Sequence, residues 1–366
     1  MDKSVGIIGT RGYPSYYGGF ETMVRELAPY LADRGWDVTV YGRPGAIKAD
    51  DSRRDERIRS LVTPGLETKS LSTLSYGLSS AVHSAATRPD VALVLNVANG
   101  YWLPLLKARN IPTLVNVDGI EWERAKWGRT AKFAFRAGAR LTAKYADDLV
   151  FDSHAIGDRW AKEFDRKGQF IPYGAHAPAS IPPPDNLKPG KYILIVARFV
   201  PENTVAEFFS AAKILSRDWD VVIVGSSGYG GELDDHAQHL SESVERIHWF
   251  GHISDDAKLF ALWQNAGVYF HGHSVGGTNP ALVQAMACGI PIIARDTVFN
   301  REVLGPDGEF FQPYPEDIVR SVSAVMADPS KRALLGATAL ARQKAEYTWA
   351  GVCSSYHDAL EGLRTQ

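Results

Sequence analysis

A proline-rich stretch, HAPASIPPPDNLKPG at 176–190, splits this chain into two runs that each alternate short apolar segments with glycine-bearing loops and helical stretches. Proline at that density forbids regular structure, so Ala175 to Gly190 reads as a linker. In the first run Ser4–Gly9, Asp37–Tyr41, Val91–Leu95, Thr113–Val117 and Asp148–Phe151 are candidate strands, with a helix from Phe20 to Arg34. In the second, Lys191–Ala197, Val221–Gly225, His248–Gly251, Val268–Phe270 and Pro291–Ala294 repeat the pattern. The stretch Pro315–Gln366 looks helical, with a break near Tyr347-Thr348-Trp349. Continuous Val/Ile/Leu runs mark strands covered on both faces, and therefore parallel sheets flanked by helices. A chain of 366 residues is long for one core, so two α/β domains of roughly 150–200 residues are expected. The boundaries fall at 1–174, the linker 175–190, 191–346 and a terminal segment 347–366. Two such domains would make a cleft, with ligand-binding loops at the carboxyl ends of their strands.

Composition excludes several classes. A net charge of −2 gives no support to a nucleic-acid partner. No apolar run approaches the roughly 20 residues a membrane-spanning helix needs. The start, Met1-Asp2-Lys3, lacks a signal-peptide pattern, and the two cysteines, Cys288 and Cys353, lie far apart. Neither a disulfide framework nor a cysteine zinc site is expected, and a reducing cytoplasm fits.

The richest segment is VYFHGHSVGGTNPALVQAMACGIPIIA, Val268 to Ala294. It reads as strand, loop with Gly276 and Gly277, helix, then strand. Asn279 suits an N-cap, Pro280 suits the first helical position, and Gly289 stops the helix. A helix N-terminus behind a glycine loop offers free N–H groups to a phosphate or diphosphate, although the same pattern builds ordinary βαβ connections. The loop GTRGYPSYYGGFE, Gly9 to Glu21, has a similar form. Its spacing Gly6-x-x-Gly9-x-x-Gly12 does not match a dinucleotide fingerprint. The following strand ends Tyr41-Gly42-Arg43 without an acid for a ribose, leaving an NADP oxidoreductase as a minor alternative. Arg198, after Val196-Ala197, is a candidate diphosphate clamp or a surface arginine pairing with Glu202 or Glu207. Gly225 and Ser226 open a glycine-rich loop suited to a nucleotide or to a plain turn.

Taken together, GTRGYPSYYGGFE, NVDGIEWERAKWG, DSHAIGD, VARFVPEN, VGSSGYGGE and HGHSVGGTNPALVQAMACGIPIIA resemble glycosyltransferase family 4, and most of all its bacterial rhamnosyltransferase-like branch. The resemblance covers nearly the whole chain. It implies the GT-B fold, two Rossmann-like domains facing each other across a cleft, with 347–366 crossing back to the first. It also implies retaining, metal-independent transfer without a cofactor, from a sugar nucleotide to a glycan or polyprenyl-linked acceptor. By the same resemblance Gly18 and Gly19 lie against the donor diphosphate or the acceptor, Arg198 meets the diphosphate, and Gly276, Gly277, Thr278 and Asn279 cradle phosphate and sugar. Asp118 follows the Thr113–Val117 strand, where the family often has a polar catalytic group; with Glu121 nearby it deprotonates or orients an acceptor hydroxyl, or else simply caps its loop. Arg11 and Tyr17 complete the acceptor side.

Three positions depart from the family. Many members carry two glutamates eight residues apart where this chain has Gly276 and Gln284, and a lysine where it has Asn203. Gln284 keeps a single carbonyl acceptor, which is compatible with the 2′-deoxyribose of a dTDP-sugar such as dTDP-rhamnose, with a UDP-sugar as the other donor. Without the lysine, positive charge at the leaving group rests on Arg198 and helix N-termini, with Arg11 and Arg301 as supplements. Asp218-Trp219-Asp220 precedes a strand and reads as a surface turn rather than a metal site. From Arg124 to Lys144 seven basic residues, including Lys126, occur without an acid, with Lys132, Arg136, Arg140 and Lys144 at every fourth position. Such a stripe reads as a solvated face or as a contact with anionic lipid, which would place the protein at the inner face of the membrane.

Overall fold

A computed structural model describes residues 3–16, 18–48, 50–67, 72–124, 127–184, 187–228 and 230–365. Tyr17 and Lys126 lie outside the described residues, as do 185, 186 and 229. The chain forms two compact units, Met1–Tyr173 with Trp349–Gln366, and Gly174–Thr348.

In the first unit β1 (Lys3–Ile8), β2 (Trp36–Gly42), β3 (Arg59–Val62), β4 (Val91–Leu95), β5 (Thr113–Asn116), β6 (Asp148–Phe151) and β7 (Gln169–Phe170) form a parallel sheet in the order β3-β2-β1-β4-β5-β6-β7. The helices α1 (Gly19–Ala32), α2 (Ser72–Thr87), α3 (Leu103–Lys107), α4 (Arg129–Tyr145) and α5 (His154–Phe164) alternate with the strands. β4, VALVL, is buried throughout, as an unbroken aliphatic run must be when helices cover both faces.

In the second unit β8 (Tyr192–Val196), β9 (Asp220–Val224), β10 (Ile247–Trp249), β11 (Val268–His271), β12 (Ile292–Arg295) and β13 (Glu309–Phe311) pair in the order β10-β9-β8-β11-β12-β13, again parallel. Between and after them run α6 (Val205–Leu215), α7 (Glu232–Ser243), α8 (Asp256–Gln264), α9 (Pro280–Ala287), α10 (Val298–Leu304), α11 (Pro315–Ala327) and α12 (Pro329–Glu346). One core cluster joins both ends of this sheet, from Ile247 through Phe208 and Phe270 to Phe311. The chain then returns to the first unit as α13 (Trp349–Arg364), burying Val352, Cys353, Tyr356, Leu360 and Leu363.

Both sheets are α/β and doubly wound. β3, β7 and β13 were not expected from the sequence: each lies at a sheet edge, pairs on one side only, and lacks the long apolar run of a central strand. Residues 175–190 contain no helix or strand among those described, yet they are not a loose tether. Side-chain amides of the second unit hold their carbonyls: Gln343 Nε2 donates to Ala175 O at 2.8 Å, Gln264 Nε2 to Pro178 O at 3.0 Å and Asn265 Nδ2 to Ile181 O at 2.9 Å. Proline cannot enter a ladder, so side chains satisfy the backbone instead.

Candidate functional site

Strand order in the second unit runs outward to β9 and β10 on one side of β8 and to β11, β12 and β13 on the other. The reversal between β8 and β11 is a topological switch point, where open α/β sheets leave a crevice for ligands. Arg198 follows β8 at this point and is exposed; among the described residues its guanidinium has no ion-pair partner, so the pairing with Glu202 or Glu207 is not formed. Asn203, expected to contact donor, is 4% exposed and donates from Nδ2 to the Arg198 carbonyl at 2.9 Å. Its side chain therefore closes the turn that carries Arg198.

Three loops converge there. Ser274 donates to the Glu202 carbonyl from its backbone N at 2.9 Å and from Oγ at 2.8 Å, and Thr204 Oγ1 donates to Gly272 O at 2.5 Å. Phe199 N donates to Ser226 O at 3.0 Å. Gly225, at φ 132°, packs so closely that a Cβ would lie 1.8 Å from Ala197 O. Gly225 thus serves to bring two loops together, and Ser226 contributes its backbone to the same junction. Beyond them Gly276 takes φ 104°, a conformation that side chains rarely adopt. Gly277 and Thr278 are buried. Asn279 caps α9, accepting from Ala281 N at 3.0 Å, with Pro280 in the first turn. The free N–H groups of this helix point an electropositive end at the loop.

Gln284 lies one turn into α9 and donates from Nε2 to His176 O at 2.6 Å. One strand away in sequence, His271 is fully buried, its Nδ1 is 3.2 Å from the Tyr269 hydroxyl, and its ring stacks on His273 at 4.4 Å. Burial, reinforced by His273, holds its pKa well below the usual imidazole value. Its Nε2 is buried without a hydrogen-bond partner among the described residues.

In the first unit the order reverses between β1 and β4. Gly9 and Gly12 border this point, but protein fills the space their missing side chains leave: a Cβ on Gly9 would lie 2.3 Å from Leu95 O, and one on Gly12 2.6 Å from Ile47. Gly18 is extended and precedes α1, Gly19 is its first residue, and Arg11 N donates to Glu21 Oε1 at 2.9 Å. Asp118 stands just beyond β5 at φ 61°. Asn96 Nδ2 donates to its Oδ2 at 2.8 Å, and its own N–H donates to Asn116 Oδ1 at 2.9 Å. Tyr173 is nearby; burial first, then the charges of Asp118, Asp152 and Glu21, push its phenol pKa well up.

Glu121, expected beside the acceptor, is 3% exposed and engaged within its own loop. Its carboxylate accepts from Trp127 Nε1 at 2.8 Å and pairs with Arg124 at 2.8 Å. These contacts brace the segment. On α4 Arg129, Arg140 and Lys144 are exposed, while Arg136 pairs with Glu163 at 2.6 Å. Arg301 pairs with Asp296 at 2.5 Å. Asp220 opens β9 at its amino end, 3.5 Å from His248. Asn96, Asn116, Tyr173 and Tyr356 were not anticipated. The asparagines carried a signal, since each stands directly at the end of an aliphatic run, VALVLN and TLVN; Tyr173 and Tyr356 carried none.

Two Rossmann-like units with loops gathered at their switch points define the GT-B class of glycosyltransferase fold. Residues 18–174 match the family "Glycosyl transferase 4-like domain", and residues 180–342 match "Glycosyl transferases group 1". By family the chain belongs among the GT-B glycosyltransferases of the group 1 and 4-like families. It is similar to the O-antigen chain mannosyltransferase B of Escherichia coli, 24% identical over 43% of this chain and 42% of that protein. The match thus spans about two fifths of that relative's length. Its fold resembles sucrose-phosphate synthase from Thermosynechococcus elongatus, with a TM-score of 0.81, 18% identity and 99% of both chains covered. It also resembles Anabaena HepE in complex with UDP-glucose, with a TM-score of 0.71, 14% identity, and 98% and 99% of the two chains covered.

Proposed function

We propose that this protein is a retaining glycosyltransferase that moves L-rhamnose from dTDP-rhamnose onto a glycan or lipid-linked glycan acceptor in polysaccharide assembly. The observation that carries transfer from a sugar nucleotide is that Arg198, without an ion-pair partner among the described residues, and the capped N-terminus of α9 follow the two neighbouring strands of one switch point. As the bond from the anomeric carbon to the diphosphate breaks, its electron pair stays on the phosphate oxygen. The planar donors of Arg198 and the N–H groups behind Gly276–Asn279 receive that charge, without calling on a metal or a further cofactor. The acceptor oxygen forms the new bond, and Asp118 takes its proton. Retention of configuration rests on the family resemblance.

Gln284 supports the deoxyribose. Its amide nitrogen is committed to His176 O, so one neutral oxygen is left to accept from the sugar. A neutral carbonyl oxygen accepts more weakly than a carboxylate, a loss that weighs more on a ribose with two free hydroxyls than on a 2′-deoxyribose with one. The structure of HepE with UDP-glucose makes a UDP-sugar the competing donor. Thermal shifts with dTDP-rhamnose, UDP-glucose and GDP-mannose decide between them, because ligand binding raises apparent stability by mass action. A shift with UDP-glucose and none with dTDP-rhamnose would overturn the donor; binding without turnover or hydrolysis would mark a sugar-nucleotide-binding protein, and turnover without transfer an epimerase.

The basic face of α4 would hold the enzyme against an anionic membrane surface at the cytoplasmic side. It presents Arg129, Arg140 and Lys144 beside Phe133, which is 73% exposed. Among the described residues no helix is long and apolar enough to cross a membrane.

A further inference from the structure

The last helix reaches the end of β5 through one hydrogen bond that spans 240 positions of sequence. Asn116 Nδ2 donates to the Tyr356 hydroxyl at 2.7 Å, with both side chains buried. The other end of the same amide accepts from Asp118 N at 2.9 Å. The two contacts fix each other. A backbone N–H only donates, so the amide oxygen must face Asp118; the NH₂ group must then face Tyr356, whose oxygen accepts. Asp118 meanwhile holds φ 61°, in the left-handed region that few side chains other than those of Asn and Asp enter readily. Two contacts constrain it: the Asn116 oxygen on its N–H and the Asn96 amide on its carboxylate. Asn96 is itself tied to the same strand end, its N–H donating to Asn116 O at 2.9 Å.

We infer that Tyr356 is a positioning residue: from the terminal helix it orients the Asn116 amide, and through it sets the direction in which Asp118 presents its carboxylate. The consequence for the reaction rests on the proposed role of Asp118; the positioning itself does not. Tyr356 is held in place from outside this network. α13 packs on α1, and Lys3 pairs with Glu361 at 3.2 Å. The helix that ends the chain therefore helps to shape a catalytic loop formed near position 118.

The test is Tyr356→Phe, which keeps the ring and removes the acceptor. Hydrogen–deuterium exchange of a peptide spanning 114–120 should quicken at Asp118, while the amides of β4 remain protected. Asn116→Ala, which deletes the acceptor of the Asp118 N–H directly, sets the full size of the effect and serves if the first variant folds poorly. Unchanged exchange at Asp118 in both variants overturns the inference. In turnover of dTDP-rhamnose, Tyr356→Phe should lower kcat about tenfold with donor KM little changed, as a misdirected group does. That loss should vanish in an Asp118→Asn background; a loss that persists there marks a general structural role and overturns it as well. Should Asp118→Asn turn over at the wild-type rate, the catalytic assignment of Asp118 fails, and the exchange result still decides the positioning.

Discussion

The Gln284 side-chain amide donates to the His176 carbonyl at 2.6 Å, tying the first turns of α9 to the irregular segment that opens the second unit. An ionised glutamate has no hydrogen to give and would set a carboxylate against a carbonyl oxygen. The glutamine therefore also serves the fold, donating where a glutamate could not. Gln284→Glu should lower stability by about 1–3 kcal/mol, because the His176 carbonyl loses its donor and faces a charge. It should also raise affinity for UDP-glucose relative to dTDP-rhamnose, since two acceptor oxygens become available. Thermal denaturation with and without each nucleotide sugar checks both; an unchanged melting temperature would show that the Gln284–His176 hydrogen bond does not stabilise the fold.

Arg198 is exposed and unpaired among the described residues, so removing it should leave the fold intact. Arg198→Ala is expected to weaken dTDP binding at least tenfold, in keeping with about 1.5–3 kcal/mol for hydrogen bonds to charged groups. Arg198→Lys should recover only part of that, because a point charge does not reproduce the planar fork. Calorimetric titration with dTDP would show unchanged affinity if Arg198 plays no such role.

Glycines of the two loop systems differ in what they tolerate. Gly225→Ala would place a methyl 1.8 Å from Ala197 O at a φ of 132° and should destabilise the second unit by several kcal/mol, on the order of 3 or more. Gly18→Ala meets only the Glu21 carboxylate at 3.4 Å from an extended backbone and should change stability by roughly 0.5 kcal/mol or less. Chemical denaturation of the two variants gives the comparison; equal losses would contradict it.

His271 makes stability depend on acid. Burial, then His273, keeps its folded pKa well below that of the unfolded imidazole, near 6.5. Between those values the unfolded chain binds a proton that the native chain refuses, so stability rises with pH. The contribution is complete above about pH 7 and falls on acidification below about 6.5, by at most roughly 1.4 kcal/mol per pH unit. In His271→Phe the slope of unfolding free energy between pH 6 and 5 should fall, by at most one proton. An identical slope in the variant would show that His271 is not the group responsible.

Anionic binding by α4 is tested by co-sedimentation with phosphatidylglycerol vesicles. The combined change Phe133→Ser, Arg129→Gln and Arg140→Gln removes exposed groups from one helix and should abolish sedimentation at about 0.1 M salt without unfolding the protein. Vesicle binding that survives these changes would rule out this face.

Local order decided much of what could be read before the fold was known. Aliphatic runs such as VALVL and YILIV are buried strands because covering both faces leaves them no other environment, and Asn279-Pro280 followed by Gly289 bounds a helix through backbone chemistry alone. The same reasoning located the loops after β1, β8 and β11. It did not find β3, β7 and β13, whose pairing is settled by the neighbouring strand rather than by their own residues. Nor did it separate a glycine with room about it, such as Gly18, from Gly9, Gly12 and Gly225, where a Cβ would run into Leu95 O, the Ile47 side chain and Ala197 O. The contacts of Glu121, Asn203 and Gln284 with Arg124, the Arg198 carbonyl and the His176 carbonyl are reached only when the loops close. The contact of Tyr356 with Asn116 is the extreme case: a single hydrogen bond across 240 residues has no periodicity and no motif. Periodicity and capping act within a few residues and are written in the sequence; orientation of a side chain by a distant partner exists only in the packed structure.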